Sequence, residues 1–220
     1  MAAAPKTRPA RKRLSAEDRR SAILDSALEV FSRRGYNGAS IDEIAQAAGI
    51  SKALIYEHFP SKKDLHVSLL ERHTQQIFVR LAQTADTADP GEVRLRNGVD
   101  AFLLWVESNP VAFRLLFRDT FEADVADVLN RLQNQATGAI AALLAAEPAK
   151  VPRSERPVNF ALGLEAMAQQ LSGGVQSLAI WWQAHPEVER GWLVDRVMEY
   201  AWIGLERVRG GERAPAIPGS

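Results

Sequence analysis

Between positions 51 and 63 the chain reads Ser51-Lys52-Ala53-Leu54-Ile55-Tyr56-Glu57-His58-Phe59-Pro60-Ser61-Lys62-Lys63. Hydroxyl, ammonium, phenol and imidazole groups are crowded into one short run. Such a set donates hydrogen bonds and neutralises anions, which is the chemistry that phosphate oxygens and base edges demand. If the run is helical, Ile55 and Phe59 lie four residues apart and face inward, while Lys52, Ala53, Tyr56 and Glu57 face outward. A side chain as short as Ala53 lets the backbone approach a base edge closely. A major groove is about as wide as a helix, so the pattern suits a helix lying in one.

Other chemistries find little support. The chain has no cysteine, so it offers neither a disulfide framework nor a thiolate ligand or nucleophile. Its histidines, at 58, 66, 73 and 185, include no pair three or four apart, and no Glu-x-x-His occurs. The glycine-rich phosphate loops and the G-x-S-x-G elbow are also missing. The expectation is a non-enzymatic protein with no cofactor and no metal. The longest apolar run, Gly138 to Ala146, falls far short of the roughly 18 residues a membrane span needs. No apolar stretch of signal-peptide type follows the basic N-terminus, so a cytoplasmic protein with no membrane partner is expected.

The elements that must position the 51–63 run are helical throughout. Ser15 is placed to cap a first helix, whose Ile23, Leu24, Ala27, Leu28 and Phe31 share a face and which Gly35 ends. Ser40-Ile41-Asp42-Glu43 is a capping-box sequence opening a short second helix that Gly49 closes. Ser51 caps the third helix, which reaches about His58, and Ser61 caps a fourth reaching about Thr84. Two short helices joined by a tight glycine-containing turn make a helix-turn-helix. Further helices are expected over about 92–108, 110–119, 121–146, 157–184 and 189–208. The fold class is all-α.

The 220 residues carry 27 basic and 27 acidic side chains, but unevenly. Residues 1–65 hold 12 Lys and Arg against 8 Asp and Glu, and the remainder is acidic by the same margin. A basic small half beside an acidic larger half suggests that the first meets a polyanion. Residues 1–14 read as a basic arm, either a solubilising tail or a strand lying along DNA. Residues 15–65 read as the DNA-binding domain, 66–209 as a second helical domain, and 210–220 as a Gly/Pro-rich tail.

From Gly35-Tyr36 through Ser40-Ile41-Asp42-Glu43-Ile44-Ala45 to Ala48-Gly49-Ile50-Ser51 and on to Lys62-Lys63-Asp64-Leu65, the chain closely resembles the DNA-binding domain of TetR-family transcriptional regulators. The resemblance implies a homodimer on a palindromic double-stranded DNA operator, with a three-helix head, a connecting fourth helix and a larger effector-binding domain. It implies that Ser40 donates to a phosphate, and that Ser51, Lys52, Ala53 and Tyr56 lie on the DNA side of the recognition helix. Tyr56 and His58 match the family's Tyr-x-His, whose rings approach the backbone, and Lys62 would pair with a phosphate. Physically, Ser40 and Ser51 cap helices with or without DNA, and Tyr56 and His58 could instead fill the seam between the third and fourth helices. Leu54 and Glu57 depart from the pattern. They keep open a second reading, an all-α module for a lipid or protein whose helix-turn-helix no longer reads DNA.

In the acidic remainder, Phe102, Trp105, Phe113, Phe117 and Phe121 cluster around the Pro110 break, and Met167, Leu171 and Trp181 mark a later helix. They are core residues or, for some, the lining of an apolar effector cavity. Few charges fall among them, so the expected effector is a small lipophilic molecule. Asn97 to Arg118, Trp181-Trp182 and Tyr200 to Leu205 also look like the C-terminal domain of actinobacterial TetR regulators of fatty-acid synthesis, which implies an acyl chain or acyl-CoA. The helices at about 157–184 and 189–208 are expected to form the dimer, as in the family, with Gly173-Gly174 allowing close approach or marking a kink. The function expected is a ligand-responsive repressor; the residues do not separate a repressor from an activator.

Overall fold

The structure, a computed structural model, describes residues 15–84, 88–117, 123–146, 160–209 and 212. Among these residues there are helices and no strands. The expected arm 1–14, most of the tail 210–220, Phe121 and the start of the helix expected from 157 lie outside the described residues. The chain divides into two compact units, Met1–His66 and Val67–Ser220.

The first unit contains α1 (Ala16–Gly38), α2 (Ile41–Ala48), α3 (Lys52–His58) and the first turn of α4 (Lys62–Gln83). Ser15 and Asp18 cap α1 reciprocally: the Asp18 N–H donates to Ser15 Oγ at 3.0 Å and the Ser15 N–H to the Asp18 carboxylate at 3.3 Å. Gly35, at φ 68° and ψ 171°, interrupts the helical backbone near the end of α1, where a residue with a Cβ would be strained. α2 opens on the Ser40–Glu43 capping box and closes on Gly49 in the left-handed conformation, φ 64° and ψ 34°. The turn this makes delivers Ser51, whose hydroxyl accepts from the Leu54 N–H at 3.2 Å and starts α3. Ile23, Leu24, Ala27, Val30 and Phe31 of α1 meet Ile41, Ile44 and Ala45 of α2 and Ile55 of α3 in a buried core. Full burial of a side chain the size of Ile55 contributes about 1.5–3 kcal/mol, which is what holds so short a helix in place.

The second unit contains the rest of α4 with α5 (Gly91–Ser108), α6 (Pro110–Phe117), α7 (Ala123–Ala146), α8 (Phe160–Trp182) and α9 (Arg190–Arg209). α7 packs along α8 and α5 along α9. The α5–α9 contact is fastened by charge. Arg96 pairs with Asp195 at 2.7 Å, and Arg190 reaches Asp100 at 2.8 Å and Glu107 on the same side of α5. At the end of α8, Trp182 is buried and its indole N–H donates to the Val188 carbonyl at 2.7 Å, which ties down the connection to α9.

Candidate nucleic-acid interface

α3 divides its residues as its sequence requires. Ile55 and the C-cap residue Phe59 are buried at 0% and 1% exposure, whereas Ser51, Lys52, Ala53, Tyr56 and Glu57 are exposed. Positions 52, 53, 56 and 57 share one helical face, so the structure gathers Lys52, Ala53 and Tyr56 on a single outward surface. Tyr56 is 46% exposed, so its ring and hydroxyl are accessible on that surface. His58 is half-buried, its ring 6.5 Å from that of Phe59. Leu54 is half-buried and Glu57 exposed.

The polar groups around α3 are pre-arranged by one another. The Lys52 ammonium donates to Asp42 at 2.8 Å, and this hydrogen bond, with the Asp42 charge, raises the lysine above its ordinary value. Ser51 spends its acceptor on the Leu54 N–H, which leaves the hydroxyl proton for another acceptor. Ser40 is more fully occupied. Its hydroxyl accepts from the Glu43 N–H at 3.2 Å and donates to the Glu43 carboxylate at 3.1 Å, so a phosphate would have to displace that carboxylate.

Lys62, expected as a phosphate partner, makes two hydrogen bonds within the head itself. Its ammonium donates to the Tyr36 carbonyl at 2.8 Å and the Ala39 carbonyl at 3.1 Å, and it stands 4.5 Å from the centre of the Tyr36 ring. Lys62 thus binds the first turn of α4 to the loop that carries Ser40 into α2. Beneath it, Tyr36 stacks on Phe31 at 5.9 Å and lies 4.8 Å from His66, itself 4.7 Å from Phe31. Burial holds the His66 imidazole down, from 6.5 to about 4, with the nearby Lys62 charge adding to the effect. Arg20 covers Phe59 from the other side, its guanidinium carbon 4.7 Å from the ring centre. Sequence reasoning missed this cation–aromatic knot, because Tyr36, Lys62 and His66 meet only through the fold.

In the second unit, Phe102, Phe113 and Phe117 form one aromatic cluster with centroid separations of 5.0–6.3 Å. Phe113 is buried, whereas Phe102 and Phe117 are half-buried. Trp105 is buried at 1% exposure, edge-on to His73. Met167 and Leu171 are half-buried on α8. Trp181 stands apart from the cluster. It is 41% exposed and stacks on His185 at 4.0 Å, because its neighbour Trp182 takes the inward position. An open cleft of about 530 Å³ between α1 and α2 is lined by Val30, Arg33, Arg34, Glu43, Gln46 and Ala47, and includes none of these residues. Among the described residues no group of His, Asp and Glu could hold a metal ion, and no helix is long and apolar enough to cross a membrane.

Comparison with known proteins accounts for this arrangement. Residues 23–69 match bacterial regulatory proteins of the tetR family, and residues 90–204 match the Tetracyclin repressor-like C-terminal domain. The HTH-type transcriptional activator FasR of Mycolicibacterium smegmatis is 31% identical over 198 residues, spanning 89% of this chain and 87% of that one. A TetR-like transcriptional regulator from Rhodococcus sp. RHA1 superposes with a TM-score of 0.72 at 27% identity, covering 88% of this chain and 99% of that one. The fatty acid degradation regulator FadR from Bacillus halodurans shares the fold, with a TM-score of 0.70 at 18% identity over 93% and 100% of the two chains. These matches are to transcriptional regulators, not enzymes, in a family that binds operator DNA and typically forms homodimers. With the family's helix-turn-helix domain matched at 23–69 and its helical C-terminal domain at 90–204, the chain belongs to the TetR family of DNA-binding transcriptional regulators.

Proposed function

We propose that the protein is a homodimeric regulator that lies on a palindromic operator and is released from it by a small lipophilic effector. The observation that carries the DNA half is the division of α3, with Ile55 and Phe59 anchored in the core while Ser51, Lys52, Ala53 and Tyr56 stand outward. Two such helices in successive major grooves require a spacing of about 34–36 Å or a multiple of it, which dimerisation sets. Lys52 leaves Asp42 for the DNA, Ser51 gives its spare proton to a phosphate, and Tyr56 and His58 approach the backbone. Ser40 joins them once Glu43 yields, and Lys62 serves the interface by holding the α1–α2 loop. Phosphate contacts make the affinity fall steeply with salt.

The dimer is supported by the apolar surface that α8 and α9 leave uncovered. Leu162, Trp181, Trp192, Tyr200 and Ile203 are 41–84% exposed, far more than a free surface tolerates in large apolar side chains. A lipophilic effector is supported by the half-buried Phe102 and Phe117 beside the buried Phe113, and by the resemblance to regulators of fatty-acid synthesis. An acyl chain or acyl-CoA fits such a lining. The effector acts through its higher affinity for a conformer whose recognition helices no longer match the groove spacing, with α4 as the moving link. Release represses or activates according to where the operator lies relative to the promoter, so a relative named as an activator is compatible with the same mechanism.

Fluorescence anisotropy with the DNA upstream of the protein's own gene, in a salt series, tests the reading. Wild type should bind with a steep salt dependence, and Tyr56→Ala should weaken binding at least tenfold while leaving the melting temperature unchanged. Salt-independent or absent binding would leave the lipid- or protein-binding module as the better reading.

A further inference from the structure

Glu43 uses its two carboxylate oxygens differently. Oε2 accepts from the Ser40 N–H at 3.0 Å and from the Ser40 hydroxyl at 3.1 Å. Oε1 lies 3.5 Å from Nε of Arg34, an ion pair that joins α1 to the first turn of α2. At 3.5 Å the pair is longer than a charge-assisted hydrogen bond, so it has room to tighten.

Oε2 takes up the donors that a phosphate oxygen needs. One main-chain N–H and one hydroxyl proton meet at the start of a helix, the arrangement that anions find at helix N-termini. The cap does not depend on Oε2, because Ser40 Oγ also accepts from the Glu43 N–H at 3.2 Å. The carboxylate can therefore leave Ser40 without unwinding α2. The space beside it is the open cleft of about 530 Å³ between α1 and α2, whose lining includes both Arg34 and Glu43. Arg33, on the same wall, is engaged within its own helix. It pairs with the Glu29 carboxylate at 3.5 Å, and its Nε donates to the Glu29 carbonyl at 3.4 Å.

Resting on the reading of Ser40 as a DNA contact, we propose that Arg34 is a positioning residue for that contact. It receives the Glu43 carboxylate when a phosphate oxygen takes its place at Ser40, so that the arriving phosphate does not face an unpaired like charge.

Fluorescence anisotropy on the full-length protein, with the duplex upstream of its own gene in a salt series, tests the exchange. Arg34→Met should weaken binding about threefold, the scale of one exposed ion pair, and leave the salt slope unchanged. Glu43→Gln removes the charge and keeps the shape, so it should bind at least as tightly as wild type. Adding Arg34→Met to Glu43→Gln should then change nothing further, because no carboxylate is left to receive. An arginine that itself neutralises a phosphate would cost the same in both backgrounds and lower the salt slope by about 0.9. That outcome overturns the positioning role, as does wild-type affinity in Arg34→Met or weaker binding in Glu43→Gln, and each leaves the DNA reading standing. Failure of the wild type to bind the duplex overturns both.

Discussion

The Lys62 ammonium stands 4.5 Å from the centre of the Tyr36 ring and donates at 2.8 Å to the carbonyl of that same residue. Two of the three donors at the start of α4 are therefore engaged by the head's own backbone, at carbonyls where α1 ends. The relationship separates a positioning lysine from a phosphate-binding one, and the two make different predictions.

Lys62→Met removes the donor and leaves two carbonyls to be rehydrated. The head should lose about 1–3 kcal/mol of stability. Operator affinity should fall with it, but the slope of log affinity against log salt should stay unchanged. A lysine neutralising one phosphate would instead lower that slope by about 0.9. Urea denaturation and anisotropy over a salt series measure both quantities on one variant.

Lys52 is held by Asp42 and must leave it to reach DNA. Asp42→Asn keeps the shape of the side chain and removes the competing charge. Operator binding at low salt should tighten by about threefold, since an exposed pair is weak and a nearby carboxylate repels phosphate. Weaker binding in Asp42→Asn would mean that Asp42 presents Lys52 to the DNA instead of sequestering it.

His66 sets a pH dependence of known sign. Its folded value, about 4, lies below the 6.5 of an exposed imidazole, so between these values the unfolded chain binds more protons. Its contribution to stability is complete above pH 6.5, declines as pH falls through that window, and is lost by about 3 kcal/mol at pH 4. His66→Phe, which keeps a ring against Phe31 and Tyr36, should flatten the loss between pH 7 and pH 4.5. Parallel pH profiles for the variant and wild type, measured by urea midpoints, would exonerate His66.

Tyr200 is 84% exposed on α9 and Trp192, also exposed, lies two turns before it. If this face is the dimer contact, Tyr200→Asp buries a charge in it and shifts the protein to monomer at micromolar concentration. Light scattering after size exclusion reads the mass directly. A dimer of unaltered stability would move the contact to another surface.

Much of this architecture was legible in local sequence. The Ser40–Glu43 capping box, Gly49 at positive φ and the Ser51 cap are set by residues within a few positions of one another, and each lies where the sequence places it. The later helices lie within a few residues of expectation, whereas Gly35, expected to end α1, breaks it at φ 68° and ψ 171° and a further turn runs on to Gly38. The divided face of α3 follows from the spacing of Ile55 and Phe59. What could not be read depends on distant partners. Tyr36 and Lys62 are 26 residues apart, and Arg190 and Asp100 are 90 apart. Periodicity also could not choose between Trp181 and Trp182. They are successive residues, about 100° apart on a helix, and only the packing decides which one turns inward.

The bonds that Arg190 makes to two carboxylates two turns apart on α5, with Arg96–Asp195 farther along, have a mechanical meaning. One attachment point would act as a pivot; several, spread along the axis, resist both sliding and rolling. α5 and α9 then travel as a single beam, and a push on either one is carried to the other instead of being absorbed by slack between the two rods.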